Sequence, residues 1–217
     1  QERHLRIELG GIRLTVPWEE RADLSLLPLI GVGSIVAHRG VSSALDPPNT
    51  LAGRIEMRTR RQATPGHLTR LQSIGGEGEA LQTSLLHQRR DGAWTTTAAL
   101  EHRRREGILL SDETTLDFHQ DPTRDLRLNT DLEQTTFLGH FGRDLGEGGG
   151  VRLLVQASDA EKGIAPEGHI DDARFWRYPK TQRLLLGLAA ASSIDAWRLE
   201  AATSLALYEQ QIDDYTD

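Results

Sequence analysis

Short runs in which apolar and polar residues alternate recur along the first three-quarters of the chain. Since successive side chains of a strand point to opposite faces, such runs predict β-strands with one buried face. The Gly10-Gly11 pair, which favours a turn, separates the first two of these runs. The predicted strands are HLRIELG (4–10), GIRLTVP (11–17), LAGRIEMRTR (51–60), ALQTSLLHQ (80–88), EQTTFLGHF (133–141) and VRLLVQA (151–157).

The longest alternating stretch, DGAWTTTAALEHRRREGILLSDETTLDF (91–118), predicts a hairpin of two long strands. Its bend is expected at Arg103, Arg104 and Arg105, which form the only basic cluster of the chain. This cluster could contact nucleic acid or an acidic protein surface. It could also be a solvated turn whose charges discourage aggregation.

Residues 64–74 predict a helix. Thr64 is suited to cap it, and Pro65 is suited to its first position. Leu68, Leu71 and Ile74 then follow at spacings of three, before Gly75-Gly76 ends the segment.

Residues 180–213 predict two further helices, the first with a short apolar face between Leu184 and Ala189. Ser193 is a candidate cap for the second helix. Its apolar positions recur at spacings of three and four, as in an amphipathic helix: Ile194, Trp197, Ala201, Leu205, Tyr208 and Ile212.

These elements predict an α+β protein. Residues 1–157 form a mainly antiparallel, β-sandwich-like core domain, with the long hairpin and one packed helix. Residues 158–217 form an irregular linker and a C-terminal helical appendage, with FWRYP (175–179) as an aromatic anchor.

Composition narrows the function classes. The 217 residues carry a net charge of −7, which argues against nucleic-acid binding by bulk electrostatics. The chain has no cysteine, so disulfides and thiolate zinc sites are excluded. It contains no apolar run of about 18 residues, so no membrane span is expected. The N-terminal residues lack the charged and apolar regions of a signal peptide, and none is expected.

The segment AHRGVSSALDPPNTLA (37–52) resembles the start of glycerophosphodiester phosphodiesterases. His38-Arg39-Gly40 and Pro48-Asn49-Thr50 match motifs of that family. The Glu-x-Asp pair that binds a metal in the family is absent downstream, which leaves a divalent cation with too few oxygen ligands. No catalytic residue, cofactor or metal is therefore expected.

Two other segments contain residues that could support chemistry. LDFHQD (116–121) places Asp117, His119 and Asp121 on one face of a predicted strand, as a metal site or, as we favour, a solvated face. GEGGGVRLL (146–154) lacks the Lys-Ser/Thr pair of a phosphate-binding loop and precedes a strand, so we expect a mobile loop.

Residues 35–120 resemble the U-type tail protein of contractile phages and, more loosely, distal-tail and baseplate proteins. The resemblance rests on the order and spacing of four elements: TLAGRIEM (50–57), HLTRLQSIGGEGEAL (67–81), DGAWTTTAALEHRRR (91–105) and EGILLSDETTLDF (106–118). It implies a structural subunit of a phage tail, in the baseplate, tip or neck, which is located in the virion and assembled in the host cytoplasm.

The resemblance also implies partners. These are other copies of the chain and neighbouring tail proteins, with neither an enzymatic activity nor a small-molecule substrate. Two alternatives remain open at this stage: a phosphodiesterase-like hydrolase, and a subunit of a nucleoprotein complex. The expected interface residues are Arg103, Arg104, Arg105, Trp176, Tyr178, Trp197 and Tyr208.

Overall fold

The computed structural model describes residues 5–16, 18, 22–40, 53–111, 116, 118–121, 123–146 and 148–215. Within these ranges the chain forms β-strands and one 3-10 turn, Leu24–Leu26, and no α-helix. The predicted α+β class is therefore wrong, because the protein is nearly all β with large antiparallel sheets.

A four-stranded sheet, here called the small sheet, is formed early in the chain. Its strands lie in the order β2-β1-β4-β3, and β1 runs parallel to β4. They are β1 (Leu5–Leu9), β2 (Ile12–Arg13), β3 (Val32–Arg39) and β4 (Gly53–Thr59). The predicted strands at 4–10 and 51–60 are confirmed by β1 and β4.

A seven-stranded antiparallel sheet, here called the wall, accounts for most of the remaining chain. Its order is β14-β13-β12-β11-β7-β6-β5, so each strand pairs with the next wall strand along the chain. The strands are β5 (Gly66–Gly76), β6 (Ala80–Asp91), β7 (Trp94–Arg105), β11 (Leu132–Gly146), β12 (Gly149–Ile164), β13 (Phe175–Ile194) and β14 (Trp197–Tyr215). The strands predicted at 80–88, 133–141 and 151–157 are confirmed.

The connections differ between the two ends of the wall. At one end, β6–β7, β11–β12 and β13–β14 are each joined by about two residues; we call this the short-turn end. At the other end, residues 106–131 and 165–174 form longer connections; this is the long-connection end. The first of these contains a three-stranded sheet of β8 (Ile108–Leu109), β9 (Gln120–Asp121) and β10 (Leu126–Arg127).

The core lies between the small sheet and one face of the wall, which we call the inner face. Burying each large apolar side chain there contributes about 1.5–3 kcal/mol to folding. The first two strands and their flanking residues supply Ile7, Leu9, Ile12 and Leu14, β4 supplies Met57, and the wall supplies Leu86, Ala99, Leu138, Leu154 and Leu185.

The predicted helix at 64–74 is wrong, because these residues form β5 and pair along their length with β6. A spacing of three places Leu71 on the outer face of the wall, and Leu68 and Ile74 on the inner face. All three side chains remain exposed on this outermost strand. The spacing of three therefore does not reflect a helix, since the three side chains lie on opposite faces of one strand.

The predicted C-terminal helices are also wrong, because residues 175–215 form β13 and β14, two strands of a hairpin that pair along most of their length. Trp197, Ala201 and Leu205 lie on the outer face, whereas Tyr208 and Ile212 lie on the inner face. The helical spacing arose because apolar residues occur on both faces of one long strand. The division of the chain at residue 157 stays a prediction.

The long hairpin predicted over 91–118 does not form. Strand β7 pairs with β6 and with β11, whereas β8 pairs with β10. Arg103, Arg104 and Arg105 consequently lie within a wall strand and not at a hairpin tip. The segment expected to be a glycine-rich loop forms the paired ends of β11 and β12.

Candidate functional site

An unbroken apolar row crosses the outer face of the wall. One residue from each of the seven strands contributes, and each is paired directly in register with the next: Leu71, Leu85, Leu100, Phe137, Ala157, Leu184 and Leu207. Leu71 is 75% exposed and Leu207 is 53% exposed. Water-soluble proteins seldom expose a contiguous apolar surface of this extent, so the row indicates a surface that contacts something other than water.

On β11–β14 the apolar surface continues from this row toward the short-turn end, whereas on β5 and β6 the next outward-facing residues are Thr69 and His87. The row and its continuation on β11–β14 form what we call the apolar band. Its further outward-facing members include Phe141, Val151, Leu153, Leu188, Leu199, Leu205 and Trp197, all of them exposed.

The band ends abruptly in the other direction. The next outward-facing row, toward the long-connection end, is polar in all seven strands: Ser73, Thr83, His102, Thr135, Asp159, Gln182 and Glu209. The change from seven apolar residues to seven polar ones occurs within one step of two residues along every strand. It marks a boundary between two environments.

The inner face has the opposite character, because many of its buried side chains are polar. Gln88, Thr97, Gln134, Thr136 and Gln156 are almost completely buried there. Gln134 Nε2 donates a hydrogen bond to Thr136 Oγ1 at 3.1 Å. The wall therefore buries polar groups and exposes apolar ones, which reverses the arrangement of a water-soluble sheet.

Polar contacts hold the segment around the 3-10 turn against this inner face. The Lys162 ammonium donates hydrogen bonds to the Asp23 carboxylate and, at 3.0 Å, to Ser25 Oγ. Arg103 donates to the Ser25 carbonyl and Arg183 donates to the Leu26 carbonyl. Although burial opposes it, hydrogen bonds from Lys162 and Ser25 hold the pKa of Asp23 below its usual value.

A cavity of about 340 Å³ lies between the small sheet and the wall. Arg61, His140 and Arg152 contribute its charged and titratable side chains, beside the backbone of Gly10 and Gly187. His140 is 4% exposed, and neither of its ring nitrogens has a hydrogen-bond partner among the described residues. Because buried polar groups are normally hydrogen-bonded, we expect this ring to bind a water molecule or a ligand.

The three arginines predicted as an interface have separate roles in the wall. Arg103 faces inward and donates to Gln134 Oε1 at 2.9 Å, and Arg105 donates to the Thr130 carbonyl at 3.1 Å. Arg104 is exposed on the outer side. Two of the three side chains thus support the fold of this chain.

The predicted aromatic residues do not form one surface. Trp176 and Tyr178 lie at the long-connection end of β13, and the Lys162 ammonium lies 5.9 Å from the Tyr178 ring. Trp197 is 75% exposed at the short-turn end. Tyr208 packs edge-on against Trp18, with the two ring centroids 5.1 Å apart. Their role in an interface stays a prediction.

Among the described residues, the candidates for a metal or phosphodiesterase site are not gathered into one site. His119 Nε2 lies 2.7 Å from the Ile170 carbonyl, and Asp121 accepts hydrogen bonds from Thr123 and Arg124. Asp117 and the Pro48-Asn49-Thr50 motif lie outside the described residues. His38 and Arg39 end strand β3. Among the residues that the structure describes, no cluster of three or more His, Asp or Glu could hold a metal ion.

The sequence interpretation missed the cavity residues and the apolar band. The band had a signal, since Trp197, Leu199, Ala201, Leu205 and Leu207 follow a spacing of two that is interrupted only at Thr203. The cavity gave no signal in the sequence, because Arg61, His140 and Arg152 belong to different strands and connections. In the described ranges, no helix is long and apolar enough to cross a membrane.

Comparisons with known proteins give a similarity at the level of the fold. The sequence matches no known protein family and no curated protein. Among solved structures it is similar to the copper transporter OprC, with a TM-score of 0.74 and 15% sequence identity. The match covers 97% of this chain, but the chain spans only about 30% of the length of that solved protein.

This similarity overturns the resemblance to phage tail proteins, for which neither the comparisons nor the fold gives support. Two of the four elements on which the resemblance rested, the helix in HLTRLQSIGGEGEAL (67–81) and the hairpin over residues 91–118, do not form. The structural role in a tail, the virion location and the absence of an activity stay predictions without a test.

Proposed function

We propose that this chain forms part of the wall and the plug of a transmembrane β-barrel transporter of the bacterial outer-membrane type. The observation that carries the proposal is the row of seven apolar residues paired across the outer face, opposite an inner face that buries many polar side chains beside its apolar core. Transmembrane barrels have this arrangement because their outer surface contacts lipid and their interior contacts water or a plug.

The height of the apolar band supports the proposal. With the exceptions of Ser192 and Thr203, the outward-facing residues are apolar from Leu184 to Ile194 on β13 and from Trp197 to Leu207 on β14. Each stretch has about 11 residues, the length that a tilted strand needs to cross a bilayer. At about 3.3 Å per residue and a tilt of about 45°, it spans roughly 23 Å, close to the apolar height of known barrels.

The connections suggest an orientation. Outer-membrane barrels have short turns on the periplasmic side and longer loops on the extracellular side. By this rule the short-turn end faces the periplasm. The long-connection end, with its three-stranded sheet and the polar row, faces the outside.

The small sheet is suited to be part of the plug. It lies against the polar inner face, the side that would line the lumen of a closed barrel, and large barrels of transporters are plugged in this way. Closure needs more strands, because in the described part of the chain β5 and β14 each pair on one side only. Further polypeptide, as in the longer OprC chain, would supply them.

OprC is a copper transporter, whereas this sequence offers few soft ligands for copper. Soft ligands for Cu(I) are Cys and Met side chains, of which this sequence has none and one, respectively.

Quenching of tryptophan fluorescence by brominated lipid tests the membrane location. In single-tryptophan variants, the other tryptophans are replaced by Phe. Trp197, which lies on the outer face, should be quenched strongly by lipid brominated near the headgroup end of the acyl chain. Trp18, packed against inward-facing Tyr208, is the matched control and should be quenched weakly. Equal quenching of the two, or no quenching of Trp197, would overturn the proposal.

A further inference from the structure

The cavity between the small sheet and the wall holds an unusual charge arrangement. Arg61 and Arg152 both line it, and neither has a carboxylate within salt-bridge distance among the described residues. The nearest acidic influence on Arg61 is Asp144, whose carboxylate accepts a hydrogen bond from Arg90 at 3.1 Å. Two guanidinium groups thus face one space, and the acidic group that acts on Arg61 is itself bound to Arg90.

Backbone contacts fix the position of Arg61. The Arg60 carbonyl accepts a hydrogen bond from Thr97 Oγ1 at 2.7 Å, and the Arg60 amide donates to the Gly31 carbonyl at 2.7 Å. Thr97 is the direct register partner of His140. Arg60, which follows β4, is therefore hydrogen-bonded to the wall next to His140. This contact fixes the backbone position of the adjacent Arg61.

A glycine of the wall lies beside the other two side chains. Gly142 is paired with Arg152, and a Cβ on Gly142 would lie 3.5 Å from His140 Cε1 and 4.0 Å from Arg152 Cγ. His140 and Arg152 therefore approach the same point of the inner face. The ring of His140, buried and without a partner among the described residues, supplies a further hydrogen-bonding group there.

We propose that Arg61, Arg152 and His140 form a binding site for a phosphate-type oxyanion between the small sheet and the wall. Guanidinium groups bind such oxygens with paired, charge-assisted hydrogen bonds. A neutral imidazole adds one N–H donor. The cavity volume of about 340 Å³ lies in the range of small-molecule sites, so it also accommodates an organic group that carries the phosphate.

The electrostatic environment of Arg61 agrees with this assignment. Partial desolvation and the nearby charge of Arg152 lower the pKa of Arg61 from its usual value, while the carboxylate of Asp144 acts in the opposite direction. Each guanidinium thus opposes the charge on the other. A bound anion would relieve this repulsion.

Calorimetric titration of the purified protein in detergent micelles with sodium phosphate, at constant ionic strength, tests the site. We expect saturable binding of one phosphate. Arg61→Gln and Arg152→Gln should each weaken it at least about tenfold, as for the loss of one charge-assisted contact. The control Arg58→Gln removes the same charge from an exposed arginine that is paired with Glu56, and should bind like the wild type.

Further measurements distinguish free phosphate from an organic phosphate as the ligand. A conservative variant distinguishes a lost contact from a misfolded protein. A sugar phosphate that binds more tightly than inorganic phosphate would assign the remaining volume to an organic group, and equal affinity would assign the site to free phosphate. Arg61→Lys keeps the charge and should bind more weakly than wild type but more tightly than Arg61→Gln. Phosphate binding no stronger than chloride binding, or an equal loss in Arg58→Gln, would overturn the proposal.

Discussion

Gly187 lies directly against Ile12, and a Cβ on Gly187 would come within 2.4 Å of Ile12 Cδ1. Gly187 belongs to the inner face of the wall and Ile12 to the small sheet. The missing side chain lets the two sheets approach closely enough to bury Ile12, Leu154 and Leu185 together. Volume added at Gly187 would therefore meet Ile12 first.

Gly187→Leu should therefore weaken the seating of the small sheet. A side chain that overlaps a packed neighbour costs about 1–3 kcal/mol, and a side chain at Gly187 meets Ile12 from its Cβ onward. Thermal unfolding and limited proteolysis of residues 5–16 measure the effect. Gly75→Leu is the control, because the nearest atom to a Cβ there is 4.0 Å away. A Gly187→Leu protein as stable and as resistant as the control would contradict the close contact.

Leu153→Arg should impair insertion of the wall into lipid. Leu153 is 39% exposed near the middle of the apolar band, where an arginine on the lipid face costs about 2–4 kcal/mol. Folding into liposomes, followed as a function of urea, reports this cost. Thr135→Arg introduces the same residue in the polar row and should cost about 0–1 kcal/mol. Equal effects of the two variants would show that the band does not face lipid.

The contact between Asp23 and Lys162 should make the seating of the small sheet sensitive to acid. The pKa of Asp23 is lower in the folded protein than its ordinary value of 3.8. The stabilisation is therefore fully present above about pH 4 and is lost as the pH falls through the folded pKa. Proteolytic protection of the segment around Leu24–Leu26 between pH 2.5 and 7 measures it. Asp23→Asn should be less protected at pH 7 and should not lose further protection as the wild type does at low pH. If the acid profile of Asp23→Asn equalled that of the wild type, Asp23 would not be the group responsible.

Arg177→Lys should loosen the long-connection end of β13. Arg177 Nη1 and Nη2 donate to the two carboxylate oxygens of Asp131 at 3.0 and 2.7 Å, a paired geometry that lysine does not reproduce. We expect a loss of about 0.5–1 kcal/mol in local stability, seen as faster amide exchange around Asp131. Arg174→Lys, at an arginine that is 69% exposed and 3.9 Å from Asp214, should exchange like the wild type.

The sequence by itself determined where many strands lie. The alternating patterns at 51–60, 80–88, 133–141 and 151–157 all correspond to strands, because a half-buried strand imposes a period of two on its residues. Gly10-Gly11 also marked the turn between β1 and β2, where both glycines adopt positive φ angles. These features depend on neighbours in the chain, so local patterns suffice.

The tertiary structure decided which elements the remaining residues form. Leu68, Leu71 and Ile74, and likewise the series from Ile194 to Ile212, fit a helix by spacing, yet both segments pair with long neighbouring strands. A continuous run of apolar residues is the pattern of a membrane-spanning helix. The strands of the wall instead alternate apolar and polar residues, as strands with two different faces do. The pattern of one strand cannot tell which of its faces is outside.

Only the pairing of all seven strands aligned Leu71 with Leu207 and separated that row from the polar row beside it. Only the packing of the small sheet against the polar face made the apolar face the outer one. The same packing brought Arg61 to His140 and Arg152. Residues that lie far apart in the chain meet through sheet register and close contact, and neither of these is encoded in the spacing of residues along a single segment.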